Sequence, residues 1–183
     1  MFWIGVIAFL FFFLGDTNDR FWGKRPLCVC FFAGCVLLII SMVFQIISGT
    51  APVAAGGRVI AAAFAVICFL LLLLALFGSF SNEEGYKKPG LTRRVYTQKL
   101  YALCRHPGIL IFYGLMVCLV FEGLPLAAAI VYAALNTLLA LYEDRIIFPF
   151  ILAGYREYQR TTRFLVPSPA GIRRCIRDFK RQA

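Results

Sequence analysis

Residues 59–80 read VIAAAFAVICFLLLLLALFGSF, a run of about 22 residues without a charge. A spanning helix needs roughly 20 apolar residues, because about 1.5 Å of rise per residue must cover some 30 Å of hydrocarbon. Inside lipid every backbone N–H and C=O must be paired within the segment, so a run of this length is read as a helix. Working outward, residues 27–48 form a second run of about the same length, and residues 126–142 a third of about 17. Two shorter runs complete the set: residues 109–121, about 13 long and below the usual spanning minimum, and the Phe-rich residues 1–15. The N-terminal run lacks a basic n-region and a small-residue cleavage site, so it is kept as an uncleaved helix. The expected fold is an all-α, polytopic membrane helical bundle of about five transmembrane helices, forming one integral membrane domain over residues 1–183.

Composition agrees with this reading. Hydrophobic residues make up 61% of the chain and charged residues 15%, with a mean hydropathy of +0.81. A disordered segment and a water-soluble nucleic-acid binder are thereby excluded, despite the net charge of +10. Seven cysteines include no C-x-x-C pair, which argues against a disulfide framework and a structural zinc site. His106 is the only histidine, so classes that gather several metal-binding imidazoles are excluded and no metal is expected.

The connecting segments carry the orientation. Residues 16–26 hold Arg20, Lys24 and Arg25, and residues 81–108 hold Lys87, Lys88, Arg93, Arg94, Lys99 and Arg105. From Arg145 onward nine basic residues occur, whereas residues 49–58 hold only Arg58 and residues 122–125 none. Basic and non-basic segments alternate. The positive-inside rule then places the N-terminus outside and the C-terminal tail in the cytoplasm. The expected location is a plasma or inner membrane in a bacterium, or the endoplasmic reticulum in a eukaryote. Most of the charge serves topology and contact with anionic membrane lipids, and its spread over three segments without a binding module speaks against nucleic acid.

Residues 109–142 form a hairpin, fully crossing or re-entrant, whose two feet share the cytoplasmic surface. Its entry reads Leu103-Cys104-Arg105-His106-Pro107-Gly108. Proline suits the first turn of a helix, which sets Arg105 and His106 beside free N–H groups and the positive dipole end, an anion site suited to a carboxylate or phosphate. The plainer reading is an interfacial Arg and His anchoring a helix end. The exit reads Tyr142-Glu143-Asp144-Arg145. Acids at a helix C-terminus oppose the macrodipole and require a positive neighbour: Arg145, Arg105 from across the hairpin, or a cationic ligand.

Residues 146–164 come next, separated from the fifth apolar run by Pro149. Arg156, Arg160 and Arg163 share one face, and Ile147, Phe150, Ile151, Tyr155, Tyr158 and Thr162 fall largely on another. This pattern predicts an interfacial amphipathic helix, its tyrosines forming an interface belt or a lid over the hairpin mouth. The expected organisation is an N-terminal three-helix part (1–80), a hairpin and site part (81–168) and a mobile basic tail (169–183).

Arg105-His106-Pro107, then Glu143-Asp144 about 36 residues later, then Tyr155, Tyr158 and Pro167, resembles the C-terminal half of the isoprenylcysteine carboxyl methyltransferase and phospholipid N-methyltransferase group. The likeness covers roughly residues 95–168. Ile109 stands where that family places a tyrosine, with Tyr113 one turn on, Ile151-Leu152 replaces its F-G, and Asp144 replaces its second glutamate. The resemblance implies methyl transfer from S-adenosylmethionine to a lipid-like or prenylated acceptor at the cytoplasmic membrane face. Arg105 and Glu143 would be catalytic. Arg105, His106, Pro107, Gly108, Tyr113, Glu143, Asp144, Tyr155 and Tyr158 would bind the cofactor: its carboxylate at Arg105, His106 and the helix N–H groups, its ammonium at Glu143 or Asp144, its sulfonium near the tyrosine faces. The alternatives are an NADPH-dependent membrane reductase of the sterol reductase type, which shares the R-H-P entry, and a non-catalytic membrane assembly protein.

Overall fold

The computed structural model describes residues 1–77 and 93–180. Lys87, Lys88, Arg181 and the last three residues of the run at 59–80 lie outside the described residues. The described chain is all-α apart from one two-residue parallel bridge. Helix α1 (Phe2–Thr17) runs on through a π turn at Asn18–Trp22, and Gly23 closes it with φ +59°. The buried Asn18 side chain then holds the turn: its Oδ1 accepts from the Lys24 N–H at 2.9 Å and its Nδ2 donates to the Lys24 carbonyl at 3.2 Å. Helix α2 (Cys30–Ser48) packs back along α1, with Gly34 seated against the Phe12 ring. Helix α3 (Ala55–Phe77) lies against α4 (Pro107–Phe121), where Gly114 meets Cys68, and α4 turns into α5 (Leu126–Tyr142).

The core is shared by all five of these helices, α3 contributing Ala65, with Phe9, Phe12, Leu38, Phe112, Met116 and Leu139 among its larger side chains. Within it Tyr132 is fully buried, and its hydroxyl donates to the Phe2 carbonyl at 3.0 Å while accepting from Gln45 Nε2 at 2.8 Å, with Ser41 Oγ 2.9 Å away. The outer surface is the reverse of a soluble protein's: Val59, Ile60 and Leu74 on α3 are 60–71% exposed. A continuous apolar exterior is stable only against lipid or another apolar surface. Among the described residues four segments are long and apolar enough to cross a membrane, Phe2–Trp22, Arg25–Ser48, Ala55–Leu76 and Leu126–Ile151, the make-up of a multi-pass membrane protein. The expected fifth span, Pro107–Phe121, has 15 residues and extends about 22 Å, short of the hydrocarbon thickness.

Both ends of the bundle match the alternation of charge. At one end Gly49 approaches the Gly123 backbone so closely that a Cβ on Gly49 would strike the Gly123 carbonyl, and Arg58 pairs with Glu122 at 3.5 Å. At the other end the described basic segments meet: Arg20 donates to the Ile146 carbonyl, and β1 (Arg93–Arg94) pairs in parallel with β2 (Leu152–Ala153).

The structure corrects the expectations for the chain beyond α5. Residues 146–164 are not one amphipathic helix. Pro149 does not separate them from α5 either, because a π turn at Glu143–Ile147 leads directly into α6 (Phe148–Ile151), with the proline in its first turn, where a missing N–H is harmless. The helix ends where Leu152 becomes extended to join β1, and Gly154, at φ +82°, turns the chain into α7 (Tyr155–Thr161). Tyr155 and Tyr158 are buried inward, so they form no interface belt. The amphipathic helix lies instead in the expected mobile tail, as α8 (Pro169–Lys180). It buries Gly171 and Cys175 against residues 99–103 and exposes Ile172, Ile176 and Phe179.

Candidate functional site

The local backbone explains why the two feet of the hairpin meet. Arg105 and His106 precede α4 in a segment whose N–H groups donate to the Arg163 and Phe164 carbonyls at 2.9 and 3.2 Å. At the exit of α5 the Phe148 N–H reaches back to the Glu143 carbonyl, the i→i+5 pattern of a π turn. One inserted residue rotates the downstream chain by about 100° relative to a regular helix, and such turns concentrate at functional sites. Asp144, in that turn, is buried.

Asp144 is the hub. Its Oδ1 accepts from Arg105 Nε at 2.7 Å and from the Tyr155 hydroxyl at 2.7 Å. Its Oδ2 accepts from Arg105 Nη2 at 3.0 Å and Gln159 Nε2 at 3.3 Å. Arg105 Nη1 donates to the Gln159 and Thr162 carbonyls at 3.2 and 2.5 Å. Such a bidentate pair is the strong form of ion pairing, and its side chains are only 11% and 7% exposed. Burial opposes the Arg105 charge, but the Asp144 carboxylate more than compensates and holds the guanidinium above its ordinary range. Burial, with Asp144 beside it, raises the Tyr155 hydroxyl far enough to keep it a proton donor at any physiological pH. Tyr158, raised chiefly by burial, donates to the Tyr101 carbonyl at 2.6 Å and fastens residues 99–104 to α7. Burial likewise pushes the Cys104 thiol up to about 11, which makes it inert packing rather than a nucleophile.

Beside the hub lies a less completely paired set. His106 Nδ1 is 3.7 Å from Glu143 Oε2, and Nε2 is 3.5 Å from Asp144 Oδ1 without hydrogen-bond geometry. Its ring lies parallel to Phe148 with centroids 5.7 Å apart, and Phe164 covers a second side at 5.0 Å. Burial pushes the imidazole below its ordinary value, Asp144 opposing and Arg105 reinforcing the shift, so His106 is neutral at neutral pH. Glu143 also contacts the Asp16 side chain from α1, and Asp16 Oδ2 is buried without a hydrogen-bond partner.

Of the residues expected from sequence, Arg105, His106, Glu143, Asp144 and Tyr155 come together, and Tyr158 packs against Tyr155 at 5.8 Å between ring centroids. Pro107 starts α4 as expected, while Gly108 faces Leu72 of α3. Tyr113 is elsewhere: its hydroxyl is 2.5 Å from Thr137 Oγ1, between α4 and α5. Arg145 is not the partner of the acids but stands exposed, because the π turn aims Asp144 inward and its neighbour outward. Arg105 is not a free anion receptor either, since Asp144 already neutralises it. The additional residues are Gln159, Phe148, Phe164 and Asp16. Only Asp16 left a sequence signal, an acid closing an apolar run as Glu143 does. No protein-family model, curated protein or solved structure matches this chain.

Proposed function

We propose that this chain is an S-adenosylmethionine-dependent membrane methyltransferase acting on a lipophilic acceptor, with its basic end at the cytoplasmic face. The observation that carries the reading is the meeting of Arg105-His106 with Glu143-Asp144 at one end of an apolar bundle, beside two buried polar atoms without hydrogen-bond partners, His106 Nε2 and Asp16 Oδ2. A zwitterionic ligand suits such a set. Glu143 and Asp16 would take an ammonium, and His106 with the N–H groups opening α4 would take a carboxylate. The cofactor supplies a methyl group on an electrophilic sulfonium. The protein contributes alignment, exclusion of water and complementary charge. Arg105 is a positioning residue, because Asp144, Thr162 and Gln159 occupy its donors and it orders the chain that carries His106.

Calorimetry on the detergent-purified full-length chain tests this. The expected result is saturable binding of S-adenosylmethionine or its demethylated product and none of NADPH. His106→Ala and Glu143→Gln each abolish it with helicity intact. Binding of NADPH alone refutes methyl transfer in favour of the reductase. Binding of neither supports a second reading that the saturated Arg105 favours, in which the cluster is a clamp fastening residues 155–164 to the hairpin of a non-catalytic membrane protein.

A further inference from the structure

A second charged feature lies on the outer side of the π turn. Arg145, Pro149, Phe150, Arg156, Gln159 and Arg160 line an open groove of about 480 Å³. Three guanidinium groups border it. Among the described residues Arg145 and Arg156 have no carboxylate partner, and Arg160 pairs only with Glu157 at 3.6 Å, both largely exposed. An exposed pair of that kind contributes little, so the groove keeps nearly its full positive charge. Guanidinium groups present paired N–H donors that match phosphate oxygens.

The groove is also apolar on one flank. Phe150 is 55% exposed and Ile146 40%, and this surface continues down α5 to Leu138, also 55% exposed. Arg20 lies over the Phe150 ring, its Cζ 3.7 Å from the centroid, which fixes that ring as a wall. The groove sits at the end of the apolar segment Leu126–Ile151, where a bilayer's headgroups begin. A free phosphate would use the arginines and ignore Phe150. A phospholipid uses both.

We infer that the groove of Arg145, Arg156 and Arg160 is a binding site for the phosphate of an anionic phospholipid, whose chains lie along Phe150, Ile146 and Leu138. The site shares Gln159 with the charged cluster, since the Gln159 amide donates to the Asp144 carbonyl at 2.8 Å, but it draws on different cations. It therefore stands whether or not the methyl-transfer reading does.

The test uses the full-length protein in uncharged detergent with dioctanoyl phosphatidylglycerol, dioctanoylglycerol and inorganic phosphate as probes. Phosphatidylglycerol binds about tenfold or more tightly than either other probe. Arg145→Gln with Arg156→Gln and Arg160→Gln removes that preference, and Arg156→Gln alone weakens it about threefold or more. The equally charge-reducing set Arg163→Gln, Arg173→Gln and Arg177→Gln changes it less than about threefold. Equal losses in the two triple variants mean diffuse charge and overturn the site. Equal affinity for phosphatidylglycerol and dioctanoylglycerol overturns it too, and inorganic phosphate binding as tightly as the lipid overturns the lipid assignment. S-adenosylmethionine binding measured on the same variants keeps this result separate from the proposed activity.

Discussion

Asp144→Asn is the sharpest probe of the architecture. Four donors converge on that carboxylate at 2.7–3.3 Å, and the Arg105 guanidinium it neutralises is 11% exposed. An asparagine keeps one acceptor oxygen but turns an NH2 toward donors, leaving a buried cation uncompensated. Breaking a buried pair by removing one partner costs about 3–5 kcal/mol, against about 1 kcal/mol or less for an exposed pair. At about 2–4 °C per kcal/mol for a chain of this size, Tm falls by roughly 6–20 °C. Thermal unfolding in detergent, followed by circular dichroism and by size-exclusion of the remaining monodisperse protein, measures it. Arg105→Met combined with Asp144→Leu removes both charges together, so the double variant is more stable than the sum of the two single losses predicts. Arg145→Gln, one residue along and exposed, shifts Tm by no more than about 2 °C. A loss below about 1 kcal/mol for Asp144→Asn, or strict additivity in the double variant, refutes the claim that this pair closes the hairpin.

The same geometry gives three further outcomes. Because burial holds folded His106 below its ordinary value of 6.5, the unfolded chain takes up that proton first as pH falls; the imidazole's contribution is whole above about 6.5 and lost as pH drops through the folded value. His106→Gln removes this component, so Tm-against-pH curves for the two proteins with the same slope between about pH 5 and 7 contradict it. Tyr132→Phe strips a hydroxyl from a fully buried network and leaves Gln45 and the Phe2 carbonyl short of a partner, lowering stability by about 1–3 kcal/mol; an unchanged Tm shows that these groups re-pair. At Gly171 an added Cβ would lie 2.7 Å from the Ala102 carbonyl oxygen, so Gly171→Val lifts α8 from residues 99–103. Trypsin then cleaves at Arg173, Arg174 and Arg177 faster than in the parent chain, and equal cleavage rates show that α8 is not seated there.

Much of the bundle was legible because a membrane helix is specified locally. Length and the absence of charge suffice, and residues 27–48 and 126–142 became helices within a few residues of the expected ends. The alternation of basic segments was legible for a related reason, since each loop carries its own sign. The chain beyond Tyr142 was not. Periodicity treated residues 146–164 as one surface helix, whereas the free energy lay in burying Tyr155 and Tyr158 over a charged hub, with Gly154 supplying the turn. The tail was hidden for the opposite reason: its charges suggested mobility, but Gly171 and Cys175 on one face gave α8 a seat.

The sequence by itself determined that this is a helical membrane protein and where charged residues border its apolar runs, because hydropathy and the scarcity of intramembrane charge are properties of composition along the chain. Only the tertiary structure decided which charge meets which. Arg105 and Asp144 are 39 positions apart, and Asp16 and Glu143 lie at the ends of the first and fifth helices. A guanidinium has no preference among carboxylates until packing brings one within about 3 Å and excludes water from both. The π turn after α5 makes that choice. It turns Asp144 into the bundle, where it closes the hairpin, and leaves Arg145 on the surface, where it borders the lipid groove.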